Sequence, residues 1–90
     1  VLLFGIPTTR DPVQNQQGRR VFERLVQASA ENGWGEYRTH VAFMDLVADM
    51  YSYNNHALRR FHETLKDAVD PNGILSPGKS GIWPKHLRKA

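Results

Sequence analysis

The sequence predicts an α+β fragment: one N-terminal strand and about three helices, ending in an extended loop. Three observations lead there. Val1 to Ile6, VLLFGI, is a continuous apolar run of strand length, closed by Pro7. Three later stretches carry apolar residues at helical spacing. The segment ILSPGKSGIWP then breaks up under repeated glycine and proline.

Each element has its own physical reason. A run apolar on both faces belongs inside a larger sheet. Nothing precedes Val1 to pair with it, so the run implies a piece of a longer chain. A polar loop reaches to Gln17, and a helix is expected over about Gln16 to Glu31. Val21, Leu25 and Ser29 fall on one line of that helix, beside Phe22, Val26 and Ala30, and Asn32-Gly33 supplies a left-handed stop. A second helix is expected from Ala42 to Met50, with Phe43, Leu46, Val47 and Met50 on one face. Asn54 or Asn55 caps a third, whose stripe is Leu58, Phe61, Leu65 and Val69. Arg59 and Arg60 read as solvated surface, with Glu63 in reach of Arg59 or Lys66. Asp70-Pro71-Asn72-Gly73 ends that helix. The loop beyond it carries Ile82 and Trp83 and needs a surface to lie on, which the sequence does not identify.

Composition narrows the function. With 40% hydrophobic and 23% charged residues the chain is an ordinary globular polypeptide, so disorder is not expected. No apolar run reaches about eighteen residues, so no membrane span is expected. The absence of cysteine excludes disulfides and thiolate metal sites. A net charge of +3 leans toward an anionic ligand. Four of the basic residues, His86 included, sit in the final KHLRKA, and no basic stripe with interleaved aromatics occurs, which argues against nucleic acid.

Several motifs carry candidate chemistry. GILSPGKS, Gly73 to Ser80, satisfies the written P-loop pattern. A phosphate cradle must follow a strand and open a helix, whereas this one follows a helix and runs into Gly81 and Pro84. Tyr37-Arg38 is different. At a bend, a phenolic hydroxyl and a guanidinium can converge on one oxyanion; the cation lowers a bound phenol's pKa and the hydroxyl donates to the phenolate. His40 lies close enough to join such a pocket. No metal site is expected, because His56 and His62 are six residues apart on one helix and so face opposite ways. No G-x-S-x-G elbow surrounds any serine, which removes a Ser-His-Asp triad.

Two segments, NGWGEYRTHVAFMD and LKDAVDPNGILSPGKSGIWP, closely resemble the C-terminal end of the vanillyl-alcohol oxidase and p-cresol methylhydroxylase flavoproteins. The tail DPNGILSPGK looks like the ending of FAD-linked oxidases more widely. The resemblance is strong from Gly33 to Pro84 and collinear over Val1 to Asn32. It implies part of a larger FAD-linked oxidase fold. Residues 1–33 would be the end of the substrate-cap domain, and residues 34–90 the return into the FAD-binding domain. The implied cofactor is FAD, with most of its site outside these residues, so the chain alone is expected to be inactive. The implied partners are a para-substituted phenol (vanillyl alcohol, 4-cresol or eugenol-like), the remainder of the flavoprotein chain, and a second copy in a homodimer; nucleic acid and membrane are not among them. The implied reaction is hydride transfer from the para side-chain carbon to flavin N5 through a p-quinone methide. Tyr37 and Arg38 match the family's catalytic, phenolate-binding pair, with Arg38 also near the flavin. Lys79 is a further expected cofactor contact and His40 a further substrate contact. The alternatives are an FAD-linked oxidase of a non-phenolic hydroxy compound, or a catalytically inert remnant or small interaction module.

Overall fold

In a computed structural model, described over Leu3 and residues 5–89, the ordered elements are helical. α1 spans Pro12–Glu31, α2 Met44–Asp49 and α3 Tyr53–Val69, with single 3₁₀ turns at Val41–Phe43, Lys79–Gly81 and Lys85–Leu87. The polypeptide divides into two compact units, Val1–Trp34 and Gly35–Ala90.

The expected strand, and with it the α+β class, is corrected here. Leu3, Gly5 and Ile6 form no strand, and no strand occurs among the described residues; Val1, Leu2 and Phe4 lie outside them. An isolated strand leaves its backbone N–H and C=O groups unpaired, and no described segment offers a partner edge. Leu3 is correspondingly exposed.

The first unit is built on α1, which begins four residues before the expected start. Asp11 is its N-cap, with Oδ1 accepting from Val13 N–H at 3.0 Å, and Pro12 fills the first turn, where its missing N–H does no harm. Thr9 and Asn15 add a reciprocal pair: Thr9 N–H donates to Asn15 Oδ1 at 2.7 Å, and Asn15 Nδ2 donates to Thr9 O at 2.8 Å. Gly33, at φ +77°, closes the helix as expected. Trp34 N–H reaches Ser29 O at 2.8 Å and Gly33 N–H reaches Ala30 O at 3.0 Å, the two bonds of a Schellman motif. Val26 is the buried residue of the apolar stripe, while Val21 is exposed.

The second unit gathers around α2, whose Met44 and Val47 are buried. The surface that the punctuated loop requires is α2 itself. Gly81, buried at φ +76°, crosses it so closely that a β-carbon would stand 2.5 Å from Ala48 Cβ. Ser80 N–H points to Met44 Sδ at 3.2 Å, and Trp83 Nε1 donates to Asp45 Oδ1 at 2.9 Å. Pro84 is fully buried. Lys79–Gly81 is a single 3₁₀ turn, so no helix N-terminus follows GILSPGKS to receive a phosphate.

α3 opens in an uncommon way. Asn54, Asn55 and His56 have φ of 48°, 54° and 54°, one left-handed turn before the right-handed helix proper. Arg60 holds it, donating from Nε to Asn55 O and from Nη2 to Asn54 O, each at 3.0 Å. The helix ends on Asp70, whose carboxylate accepts from Ile74 N–H at 2.9 Å and Leu75 N–H at 3.0 Å and is paired with Lys66. Hydrogen bonding from Lys66, ahead of the two amides, holds the Asp70 carboxyl down at about 2. Glu63 pairs with neither expected partner. It lies 3.5 Å from Arg88, which also takes Asp67 bidentately at 2.7 and 2.9 Å and so fastens the C-terminal turn to α3. Phe61, Leu65 and Val69 are exposed on α3.

Candidate functional site

Tyr37 and Arg38 sit at a bend outside any helix, where two adjacent side chains can serve one space. Arg38 Cζ lies 5.4 Å from the Tyr37 ring centroid, so the guanidinium stacks over the ring. Tyr37 is 81% exposed, which leaves its hydroxyl accessible. Both line an open cleft of about 450 Å³, within the size range of small-ligand sites.

α2 supplies the apolar floor of this cleft through Met44, Val47 and Ala48, and Tyr51 follows it. α3 contributes Leu58, Arg59 and His62, and the loop contributes Lys79, Ser80 and Ile82. The structure therefore brings Lys79 to the same cleft as Tyr37 and Arg38. His40 is not among the lining residues. Its Nδ1 accepts from Ala42 N–H at 3.1 Å, capping the 3₁₀ turn, and its ring meets Phe43 edge-on at 6.4 Å.

Three lining residues escaped the sequence reading. Arg59, read as solvated surface, is half-buried; its Nη2 donates to Asp49 Oδ1 at 2.6 Å, and its Nε is buried without a partner. Tyr51 donates its hydroxyl to Glu36 O at 2.8 Å. Glu36 has a buried, unpartnered Oε2, and burial raises its carboxyl above the ordinary range against a hydrogen bond from Thr39 that lowers it. The only sequence signal for Glu36 was its place beside Tyr37. For Arg59 and Tyr51, which reach the cleft by tertiary folding, there was none.

The cleft thus carries three cations, Arg38, Arg59 and Lys79, beside a phenolic hydroxyl and an apolar floor. Such a set suits a flat, aromatic, anionic ligand. It also fits FAD: guanidinium and ammonium donors suit the carbonyl-bearing pyrimidine edge of a flavin, and the orphaned Arg59 Nε is a buried donor awaiting an acceptor.

Residues 5–80 match the family described as FAD linked oxidases, C-terminal domain. Over 72 residues the chain is 35% identical to the flavoprotein subunit of 4-cresol dehydrogenase [hydroxylating] of Pseudomonas putida, covering 80% of this chain and 13% of that protein. Among solved structures, 4-ethylphenol oxidase from Gulosibacter chungangensis, in an isoeugenol complex, is similar with a TM-score of 0.81 and 54% identity. That match covers 87% of this chain and 15% of the oxidase, so the chain spans only a small part of the length of these relatives.

Proposed function

The chain belongs to the FAD linked oxidases, C-terminal domain, and on that premise we propose that it supplies the phenolate-holding part of a flavoprotein that oxidises para-substituted phenols. The observation that carries the proposal is the Tyr37-Arg38 bend, with its guanidinium stacked on its own phenol ring at the rim of a cationic cleft. The two relatives act on 4-cresol and 4-ethylphenol by name, which supports a phenol over other hydroxy compounds.

Arg38 and the Tyr37 hydroxyl bind the ring oxygen and stabilise it as phenolate. A phenolate pushes electron density toward the para position, so hydride leaves the para side-chain carbon and a p-quinone methide remains, which adds water or rearranges. FAD, when bound, supplies the hydride acceptor at N5. Arg38, with Lys79 from the loop, would hold the flavin's pyrimidine edge, where negative charge grows on reduction. Met44, Val47 and Ala48 present a dry floor to the aromatic ring. We assign residues 1–33 to the end of the substrate-cap domain and 34–90 to the return into the FAD-binding domain. The division of the chain after Trp34 supports this, one residue away.

In the flavoprotein that carries this chain, Arg38→Ala is expected to lower kcat/KM for 4-cresol or vanillyl alcohol by about 100-fold or more while FAD is largely retained. Tyr37→Phe should give a smaller loss and a shifted pH profile. Unchanged kinetics in Arg38→Ala removes the assignment.

A further inference from the structure

Of the three cations in the Tyr37-Arg38 cleft, Arg38 stacks on Tyr37 and Arg59 pairs with Asp49. Lys79 is exposed, and among the described residues no ion pair engages its ammonium group. An ammonium on a flexible four-carbon stem goes where charge draws it. Lys79 also lines a second cleft, of about 400 Å³, which shares Met44 with the first. Asp45 and Trp83 lie in its wall, and Asp45 is its only carboxylate among the described residues. The lysine therefore stands between a site that can use its charge and a carboxylate that can capture it.

The backbone around Lys79 is closed on itself. Gly78 N–H donates to Ile82 O at 2.9 Å, Lys79 N–H to Ser76 O at 3.1 Å and Ile82 N–H to Lys79 O at 3.1 Å. Trp83 attaches this unit to α2. Its ring lies against Gly78, where a β-carbon would stand 2.5 Å from Trp83 Cζ2, and its indole Nε1 donates to Asp45 Oδ1 at 2.9 Å. Gly78, at φ +84°, permits both the turn and the close approach. The indole bond also occupies an oxygen of the carboxylate in the second cleft. A charge-assisted bond of that kind weakens the pull of Asp45 on a neighbouring ammonium.

We infer that Asp45 and Trp83 are a positioning pair, whose hydrogen bond seats the loop on α2 and keeps the Lys79 ammonium in the Tyr37-Arg38 cleft for the flavin's pyrimidine edge. This rests on the Lys79 contact in the reading above. The pair acts through Lys79, by setting where one positive charge stands when negative charge grows on the reduced flavin. With the bond broken, the loop loosens and Asp45 competes for the lysine.

The test uses the holoenzyme that carries this chain and reads the two-electron midpoint potential of its flavin by dye equilibration, with no phenol present. Lys79→Met should shift the equilibrium toward oxidised flavin about tenfold, or about 30 mV more negative. Trp83→Phe leaves every charge in place and should shift it the same way by about threefold, or about 14 mV. In the Lys79→Met background Trp83→Phe should add no further shift, because the pair acts only through that lysine. Asp45→Ala and Asp45→Asn remove the same charge, but asparagine keeps an acceptor for the indole. The alanine variant should therefore lie about threefold further toward oxidised flavin than the asparagine one. Should Trp83→Phe not retain FAD, this second comparison decides. A merely structural role would lower Tm or flavin content and leave the potential of the bound flavin where it was. An unmoved potential in Trp83→Phe, an equal shift with and without Lys79, or coincident Asp45 variants would each overturn the inference. Lys79→Met separates it from its premise. The parent's potential in that variant removes the Lys79 contact itself, whereas a shift there beside an unmoved Trp83→Phe sinks the positioning pair alone.

Discussion

Gly81 sets the distance between the loop and α2. Its φ of +76° suits glycine, and Ala48 Cβ fills the space a side chain would need. Gly81→Ala therefore combines a left-handed backbone with a steric clash, and a loss of at least about 1 kcal/mol is expected in urea denaturation. The sequence marks Gly81 only as one punctuator among several, because its partner sits on a distant helix. The same division runs through the site. Tyr37 and Arg38 are legible because they are neighbours in the chain and chemically paired. Arg59 is not, since its charge and helical position suit open solvent equally well; its role follows from the Asp49 contact at 2.6 Å. The GKS string is the converse case, a pattern complete in sequence whose residues pack onto α2.

Helices were more legible than their ends. The heart of α1 follows from its apolar spacing, but its start at Pro12 turns on an Asp-Pro cap hidden in a polar stretch that reads as loop. Asp11→Ala removes the acceptor for Val13 N–H, so a loss of about 1 kcal/mol, with fraying of the first turn visible by amide exchange, is the expected outcome. The strand failed for a different reason. A helix satisfies its own backbone, whereas a strand needs a neighbour that local sequence cannot supply. α3 shows a third case. Asparagine at its start was read as a cap; the structure instead uses Asn54 and Asn55 for a left-handed turn tied down by Arg60 from the next turn of the same helix, an arrangement that cap statistics do not contain.

At the scale of the whole molecule, the second unit is fastened by carboxylates, and its stability should follow their protonation. Asp70 is depressed to about 2 from 3.8 in the first place by Lys66, and Asp67 is lowered by Arg88. A carboxyl with a depressed folded pKa binds fewer protons in the native state than in the unfolded one. Its contribution is complete above 3.8 and drains away as pH falls toward about 2. Urea midpoints measured across that interval should decline with acid, and Asp70→Asn should lower the midpoint at neutral pH while flattening the acid slope. What each unit packs against was not legible in the sequence. Of the two tryptophans, Trp34 belongs to the first unit and is largely exposed, while Trp83 belongs to the second and donates its indole N–H to Asp45. Each half of the polypeptide therefore carries its own intrinsic fluorophore: lifting the loop from its helix would redden and dim one emission component, and leave the other, already solvent-relaxed, where it was.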